Sequence, residues 1–132
     1  MAKDQVRFGA MEESLYERVG GLAFFVDLVN RFYEGVETDE ILRPMYPEDL
    51  EPGKEHLALF LAQYWGGPAT YQERRGHPRL RMRHGEFVIN KRARNAWILH
   101  MTSAVNAMEM SDEDRVELTA YLEMAATQLR NR

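Results

Sequence analysis

Apolar residues recur with helical spacing in four stretches of this sequence, and glycine, proline and polar residues separate them. The stretches cover residues 25–36, 57–64, 97–108 and 118–129. Side chains three or four positions apart share one face of an α-helix, so each stretch predicts an amphipathic helix. No stretch alternates apolar and polar residues as a half-buried strand would. The pattern therefore predicts an all-α protein whose helices cover their apolar faces by pairing.

Residues with capping preferences mark where several helices begin. Ser14 and Glu17 have the spacing of a capping box and open a short helix that ends at Gly20. Asn90 precedes the third long helix, and Ser111 precedes the fourth. The side chains of these residues can accept hydrogen bonds from backbone N–H groups that the first turn leaves unpaired. We therefore expect helices to start at these positions.

Proline interrupts the pattern at several points. Pro52 can occupy the first turn of the second long helix, where its missing N–H costs nothing. A short helical turn over residues 39–43 is expected to end before Pro44. Between residues 69 and 85, a glycine and a proline leave room only for short helical pieces.

Length and composition favour one small intracellular domain. The 132 residues suggest a single domain over residues 13–132, after a flexible N-terminal extension over residues 1–12. The absence of cysteine excludes disulfides, iron–sulfur clusters and cysteine-type zinc sites. No signal peptide or membrane-length apolar run is present in this sequence, so we expect a cytoplasmic protein that does not insert into a membrane.

Charge is distributed unevenly along the chain. The formal net charge of −4 argues against a general nucleic-acid binder. Eight of the 17 basic residues nevertheless lie between Arg74 and Arg94. Two interpretations fit this cluster: an anionic group bound nearby, or a solvated basic loop.

His84 is the first candidate for chemistry. If a helix starts at Pro78, then Leu80 and His84 share one apolar face, as the ligand of a haem iron requires. The alternative is a histidine that interacts with the dipole at a helix C-terminus, and spacing alone favours that alternative. A zinc site shared with His77 is disfavoured because Pro78 places His77 at or before the helix start.

Three aromatic residues with polar tips form the second candidate site. Tyr33 lies on an apolar helix, Tyr46 lies in an irregular link, and Trp97 lies on the inner face of the third long helix. Buried tyrosine and tryptophan need hydrogen-bond partners for their O–H and N–H groups. From residue type and position alone, three core aromatics with satisfied polar tips are the favoured interpretation.

Several motifs, in their order and length, resemble the group II truncated haemoglobins over about residues 14–130. They are Arg31-Phe32-Tyr33, Met45-Tyr46-Pro47-Glu48-Asp49, Tyr64-Trp65-Gly66-Gly67-Pro68, the run from Arg75 to His84, Ala96-Trp97 and Tyr121-Leu122-Glu123-Met124-Ala125-Ala126. The resemblance implies a two-over-two helical sandwich around haem b, with His84 as the proximal iron ligand. It also implies that Tyr33, Tyr46 and Trp97 are the polar residues of the distal side.

The resemblance assigns further residues to the haem pocket. Gly53 falls where other globins carry a distal histidine, and it would leave a side entrance open, with Leu57 one turn later over the haem. Arg83, and with it His77 or His56, would meet the haem propionates, and His56 could also act as an occasional sixth ligand. The remaining expected lining residues are Phe60, Leu61, Leu80, Met82, Phe87 and Val88, with Trp65 less certain. Independently of the resemblance, helical spacing predicts that Tyr121, Leu122, Ala125 and Leu129 face inward, and His100 is expected to be a surface or inter-subunit residue.

The resemblance implies a protein that reversibly binds O2, and also CO or NO, at a five-coordinate haem iron. An alternative is redox catalysis on the same haem, either peroxidase-like or NO-oxidising. A remote alternative is a helical interaction module without haem. The sequence leaves open a reductase partner and assembly into a homo-oligomer.

Overall fold

The computed structural model describes residues 13–75 and 89–130, which form six α-helices and one 3₁₀-helix. The α-helices are α1 (Leu15–Val19), α2 (Leu22–Thr38), α3 (Glu51–Tyr64), α4 (Thr70–Arg75), α5 (Lys91–Asn106) and α6 (Asp112–Leu129). The 3₁₀-helix spans Arg43–Met45. No strand occurs in these two ranges, so the expected all-α class is confirmed.

The predicted helix starts are confirmed. The Ser14 hydroxyl accepts a hydrogen bond from the Glu17 backbone N–H at 3.2 Å, and the Glu17 carboxylate accepts one from the Ser14 N–H at 3.1 Å. Asn90 caps α5 and Ser111 caps α6 in the same way, because each side chain accepts a hydrogen bond from a backbone N–H in the first turn. Gly20 ends α1 with φ of 109°, a left-handed backbone that side chains disfavour.

The expectation for the segment before Pro44 was wrong. The helical turn does not end before this proline but contains it, because Pro44 lies in the first turn of the 3₁₀-helix, where no N–H is needed. Asp39 supports the preceding turn, since its Oδ1 accepts hydrogen bonds from the backbone N–H groups of Ile41 (2.8 Å) and Leu42 (2.9 Å). The Asp39 side chain thus provides the acceptors that a preceding turn of helix would otherwise provide for these backbone N–H groups.

Two helix pairs pack on each other around one apolar core. Helix α2 packs against α3, α5 packs against α6, and α2 joins the pairs through its contact with α5. Phe25, Phe32, Met101 and Leu118 are among the side chains fully buried between them. This is the two-over-two helical arrangement that was expected. Within the described ranges, none of the helices is both long and apolar enough to span a bilayer.

Candidate ligand pocket

A cavity of about 230 Å³ opens between the two helix pairs. Residues from α2, α3, α4, α5 and α6 and from the link after the 3₁₀-helix surround it. They are Tyr33, Tyr46, Gly53, His56, Leu57, Phe60, Leu61, Tyr71, Trp97, Tyr121, Leu122, Ala125, Ala126 and Leu129. The cavity therefore gathers side chains that are far apart in the sequence.

Tyr33, Tyr46 and Trp97 meet in one part of this wall, which we call the polar corner. The rings of Tyr33 and Tyr46 contact edge to face, with centroids 5.6 Å apart. The Trp97 ring packs on Phe32, with centroids 5.4 Å apart, and makes a hydrogen-bonding contact with the Tyr46 hydroxyl. Because an indole N–H can only donate, Tyr46 is the acceptor in that contact. The three residues thus form a connected group rather than three separate core aromatics.

Burial keeps the two tyrosines of the polar corner protonated. Burial raises the pKa of Tyr33 to about 12. Burial is also the largest cause that raises the pKa of Tyr46, the neighbouring Tyr33 adds to it, and the hydrogen bond with Trp97 acts in the opposite direction. Each hydroxyl is therefore neutral over the physiological range and can donate a hydrogen bond.

Gly53 makes room for the Tyr33 hydroxyl. A Cβ atom at position 53 would lie 2.7 Å from Tyr33 Oη, closer than such atoms approach in folded proteins. The next residue, Lys54, extends over the Tyr33 ring with its Nζ 6.0 Å from the ring centroid. The Tyr33 hydroxyl therefore takes up part of the space beside Gly53, and the side entrance expected there stays a prediction.

The apolar wall of the cavity comes mainly from α3 and α6. Helix α3 contributes Leu57, Phe60 and Leu61 and places His56 beside them. Phe60 contacts the buried Tyr71 of α4, with ring centroids 5.4 Å apart. The structure thus brings these four α3 residues, Gly53 and the polar corner to one cavity.

Sequence reasoning missed one side of the cavity. No sequence pattern singles out Tyr71. Helical spacing predicts only an inward face for most of the α6 residues that line the cavity, which are Tyr121, Leu122, Ala125, Ala126 and Leu129. Their spacing of three and four residues was a usable signal for facing inward. Spacing cannot separate a core side chain from one that lines a cavity, because both lie on the inner face.

Trp65 is not among the residues that line the cavity. It follows α3 and packs its ring against Tyr64 and Tyr121, with centroids 5.1 Å and 5.5 Å apart. Its Nε1 is buried, and within residues 13–75 and 89–130 it has no hydrogen-bond partner. Buried N–H groups of this kind are uncommon, since an unpaired donor costs about 1–3 kcal/mol.

His100 is only partly exposed, so the surface position is corrected, and the alternative inter-subunit position stays a prediction. Its side chain is 22% exposed, and its Nε2 lies 2.6 Å from Oδ2 of Asp39. This hydrogen bond is the main cause that lowers the pKa of the Asp39 carboxyl. The imidazole also packs on Gly35, where any Cβ would clash with the ring. The pair therefore ties the end of α2 to α5.

Seven expected site residues lie outside the described residues. They are His77, Leu80, Met82, Arg83, His84, Phe87 and Val88. The expectations for the iron ligand, for the propionate contacts and for this part of the lining remain predictions. The alternative of a zinc site on His77 and His84 concerns the same segment.

Comparison with known proteins identifies the class. The chain matches the bacterial-like globins over residues 14–131 and belongs to that family. It is 37% identical to the group 2 truncated haemoglobin YjbI of Bacillus subtilis, over 88% of this chain and 87% of that protein.

Solved structures agree with this family. The haemoglobin of the thermophilic phototrophic bacterium Chloroflexus aurantiacus superposes with a TM-score of 0.90 at 51% identity, covering 92% of this chain and all of that one. The truncated oxygen-avid haemoglobin of Bacillus subtilis gives a TM-score of 0.85 at 36% identity, covering 90% of this chain and 100% of that one. The resemblance to group II truncated haemoglobins is confirmed.

Membership in the globin family implies a haem cofactor. The cavity fits such a group in its chemistry. Apolar side chains from α3 and α6 suit the flat face of a porphyrin, and the polar corner supplies donors for a small ligand. The residues that line the cavity are therefore compatible with the cofactor of the family.

Proposed function

We propose that this protein binds haem b through His84 and reversibly binds O2 on the side of the polar corner. The observation that carries the proposal is the connected group of Tyr33, Tyr46 and Trp97 at one side of an otherwise mostly apolar cavity. A solved relative at 36% identity is described as oxygen-avid. CO and NO are further ligands of the same site.

A bound haem would supply the iron to which O2 binds, and the negative charge that such a ligand acquires would favour hydrogen-bond donors around it. The chain's own residues then act on the ligand through hydrogen bonds. Trp97 can only donate, and the neutral hydroxyls of Tyr33 and Tyr46 can donate as well. CO stays nearly neutral and gains little from the same donors. The polar corner therefore favours retention of O2 over retention of CO.

The expected roles of the remaining residues belong to the same proposal. Arg83, together with His77 or His56, would pair with the haem propionates. Such a pair at the surface contributes only about 0–1 kcal/mol, so it affects how fast haem is lost more than whether haem binds. Of these residues, only His56 lies in the described ranges, where it lines the cavity.

The proposal is tested by the release of O2 and CO from the ferrous protein after Trp97→Phe. A hydrogen bond to a charged group contributes about 1.5–3 kcal/mol, so O2 should leave about tenfold faster or more. CO release should change much less. Trp65→Phe is the matched control, because that indole N–H has no partner among the described residues and does not line the cavity.

Three outcomes contradict the proposal in different ways. Equal acceleration of O2 and CO would mean that the aromatics only fill space. Faster O2 release in the Trp65→Phe control would mean that general loosening of the pocket causes the effect. A purified protein without the intense Soret absorption of haem would support the haem-free helical module instead.

A further inference from the structure

A second aromatic cluster connects the wall of the cavity with the protein surface. Tyr64 and Tyr121 stack with ring centroids 4.1 Å apart and planes inclined by 28°. Trp65 contacts these two rings edge to face, at 5.1 Å and 5.5 Å. We call Tyr64, Trp65 and Tyr121 the surface triad.

The two ends of the surface triad face different environments. Tyr121 lines the cavity in which the haem is proposed to lie. Tyr64 is 53% exposed and is one of the few large aromatic side chains that reach solvent in the described ranges. Two rings in direct contact therefore lead from the cavity to water.

We propose that the surface triad is an electron-transfer route, and that Tyr64 is a surface site where small phenolic reductants are oxidised when the haem pocket consumes a peroxide. Tyrosine and tryptophan are the side chains whose oxidation is easiest among the aromatic residues. The inference rests on the proposed haem site, and it extends the redox alternative to named residues. A reductant would not need to enter the cavity, because it would react at the exposed ring.

The environment of each ring decides where an oxidised residue is stable. A tyrosine that loses an electron also loses its phenolic proton, so it needs a proton acceptor. Tyr64 has water as the acceptor, because its side chain is exposed. Trp65 Nε1 is buried without a partner, so none of the residues in the ranges 13–75 and 89–130 is placed to accept its proton. Burial raises the pKa of Tyr121 to about 12, which disfavours loss of its proton. The oxidised state therefore settles on Tyr64.

One molecule of hydrogen peroxide takes up two electrons and two protons and forms two molecules of water. Tyr64 supplies one electron at a time through Tyr121 and releases its proton to water, which leaves a neutral tyrosyl radical. A phenol then donates one electron and one proton to that radical, which restores Tyr64 and forms a phenoxyl radical. Two such cycles complete the reduction of one peroxide.

The test traps the radical on the haem-loaded ferric protein after addition of hydrogen peroxide. A nitroso spin trap marks the radical site, and peptide mass spectrometry locates the adduct. We expect the adduct on Tyr64, and its loss in Tyr64→Phe. Tyr121→Phe should also lower the adduct on Tyr64 strongly, although Tyr64 itself is unchanged, because phenylalanine does not relay the electron. These two substitutions keep the stacked rings in place.

Tyr16→Phe is the matched control. Tyr16 is a partly buried tyrosine stacked on Phe25, with centroids 6.1 Å apart, but it does not line the cavity. Its substitution should leave the adduct on Tyr64 unchanged. An adduct on Tyr64 that survives Tyr121→Phe would overturn the route, because peroxide would then have oxidised Tyr64 directly. An adduct confined to Tyr33 or Tyr46 would also overturn it.

Two further measurements separate this inference from the proposed function. The Soret absorption and the O2 dissociation rate are recorded on the same preparations. Normal haem and O2 binding without an adduct on Tyr64 would overturn the electron-transfer route alone. A protein without haem would overturn the proposed function and the route together.

Discussion

Two aromatic clusters of identical composition, each with two tyrosines and one tryptophan, lie in different environments: the polar corner lines the cavity with all three residues, and the surface triad lines it only through Tyr121. In the polar corner, the Trp97 N–H faces the hydroxyl of Tyr46, and Tyr33 is only 4% exposed. In the surface triad, the Trp65 N–H is buried without a partner among the described residues, and Tyr64 is 53% exposed. The same residue types thus serve hydrogen bonding in one place and ring stacking in the other. Burial and partners, not residue identity, separate the two proposed roles.

The largest effect is expected from His84→Ala, because the two proposed roles depend on bound haem. Loss of the proximal ligand should leave the protein without haem or with weakly bound haem, and added imidazole should restore binding. The absorption spectrum of the ferrous protein checks this result. His77→Ala should leave the spectrum almost unchanged. A normal five-coordinate spectrum of His84→Ala without imidazole would show that another residue holds the iron.

Alkaline unfolding distinguishes Tyr33 of the polar corner from Tyr121 of the surface triad. Tyrosine in an unfolded chain ionises near pH 10, whereas burial raises the pKa of Tyr33 to about 12. Between these values the folded state keeps a proton that the unfolded chain has lost, so the free energy of unfolding falls as pH rises. Tyr33 should account for about 2 kcal/mol of that fall.

The measurement is denaturant unfolding at a series of alkaline pH values. Tyr33→Phe should flatten the decrease above pH 10. Tyr121→Phe should flatten it less, although the pKa of Tyr121 is also raised to about 12, because solvent screens its half-buried ring. If the two substitutions flattened the decrease equally, burial would not distinguish Tyr33 from Tyr121.

A smaller effect is expected from Asp39→Asn, which weakens the tie between α2 and α5. The Asp39 carboxylate is hydrogen-bonded to His100. It also accepts hydrogen bonds from two backbone N–H groups just before the 3₁₀-helix that leads to Tyr46. Loss of its charge should lower the free energy of unfolding by about 1–2 kcal/mol. Denaturant unfolding at neutral pH measures it.

The loss at Asp39 should disappear in acid. A carboxyl whose pKa is lowered in the folded state stabilises the fold above the unfolded value and loses that contribution as pH falls. The wild-type protein and Asp39→Asn should therefore approach each other in stability below pH 4 or so. Curves that stay parallel at every pH would show that the charge of Asp39 does not contribute.

The smallest effect is expected from Gly53→Ala, which changes a neighbour of the polar corner and none of its three residues. The added methyl group would lie 2.7 Å from Tyr33 Oη and should displace that hydroxyl. We expect O2 release to become a few-fold faster, because Trp97 and Tyr46 remain. Alanine favours the helix by up to about 1 kcal/mol over glycine, so thermal stability should not fall in parallel. CO release is the internal control, and an equal change for CO would indicate a changed entry path instead.

The sequence predicted the helices well where local chemistry decides them. Capping by Ser14, Asn90 and Ser111 depends on residues a few positions apart, and the structure places each cap as expected. The 3₁₀-helix was mispredicted because its start depends on Asp39. The side chain of this residue accepts hydrogen bonds that backbone carbonyls accept in a regular helix.

The candidate site was predictable only as far as the resemblance reached. It named Tyr33, Tyr46 and Trp97, which do share one cavity wall. It did not indicate the stacking of Tyr64 on Tyr121, because that contact joins α3 to α6 across 57 positions of the chain. Contacts between distant helices depend on packing geometry, which periodicity alone does not contain.

Gly35 has a consequence for how this protein can vary. The His100 imidazole occupies the place where any other residue at position 35 would carry its Cβ. A library of all substitutions at this position should therefore be almost empty of folded variants unless position 100 changes with it. The exposed Glu34 beside it should accept most residues. Selection would couple positions 35 and 100, so that a larger residue at one becomes tolerable only when the other becomes smaller.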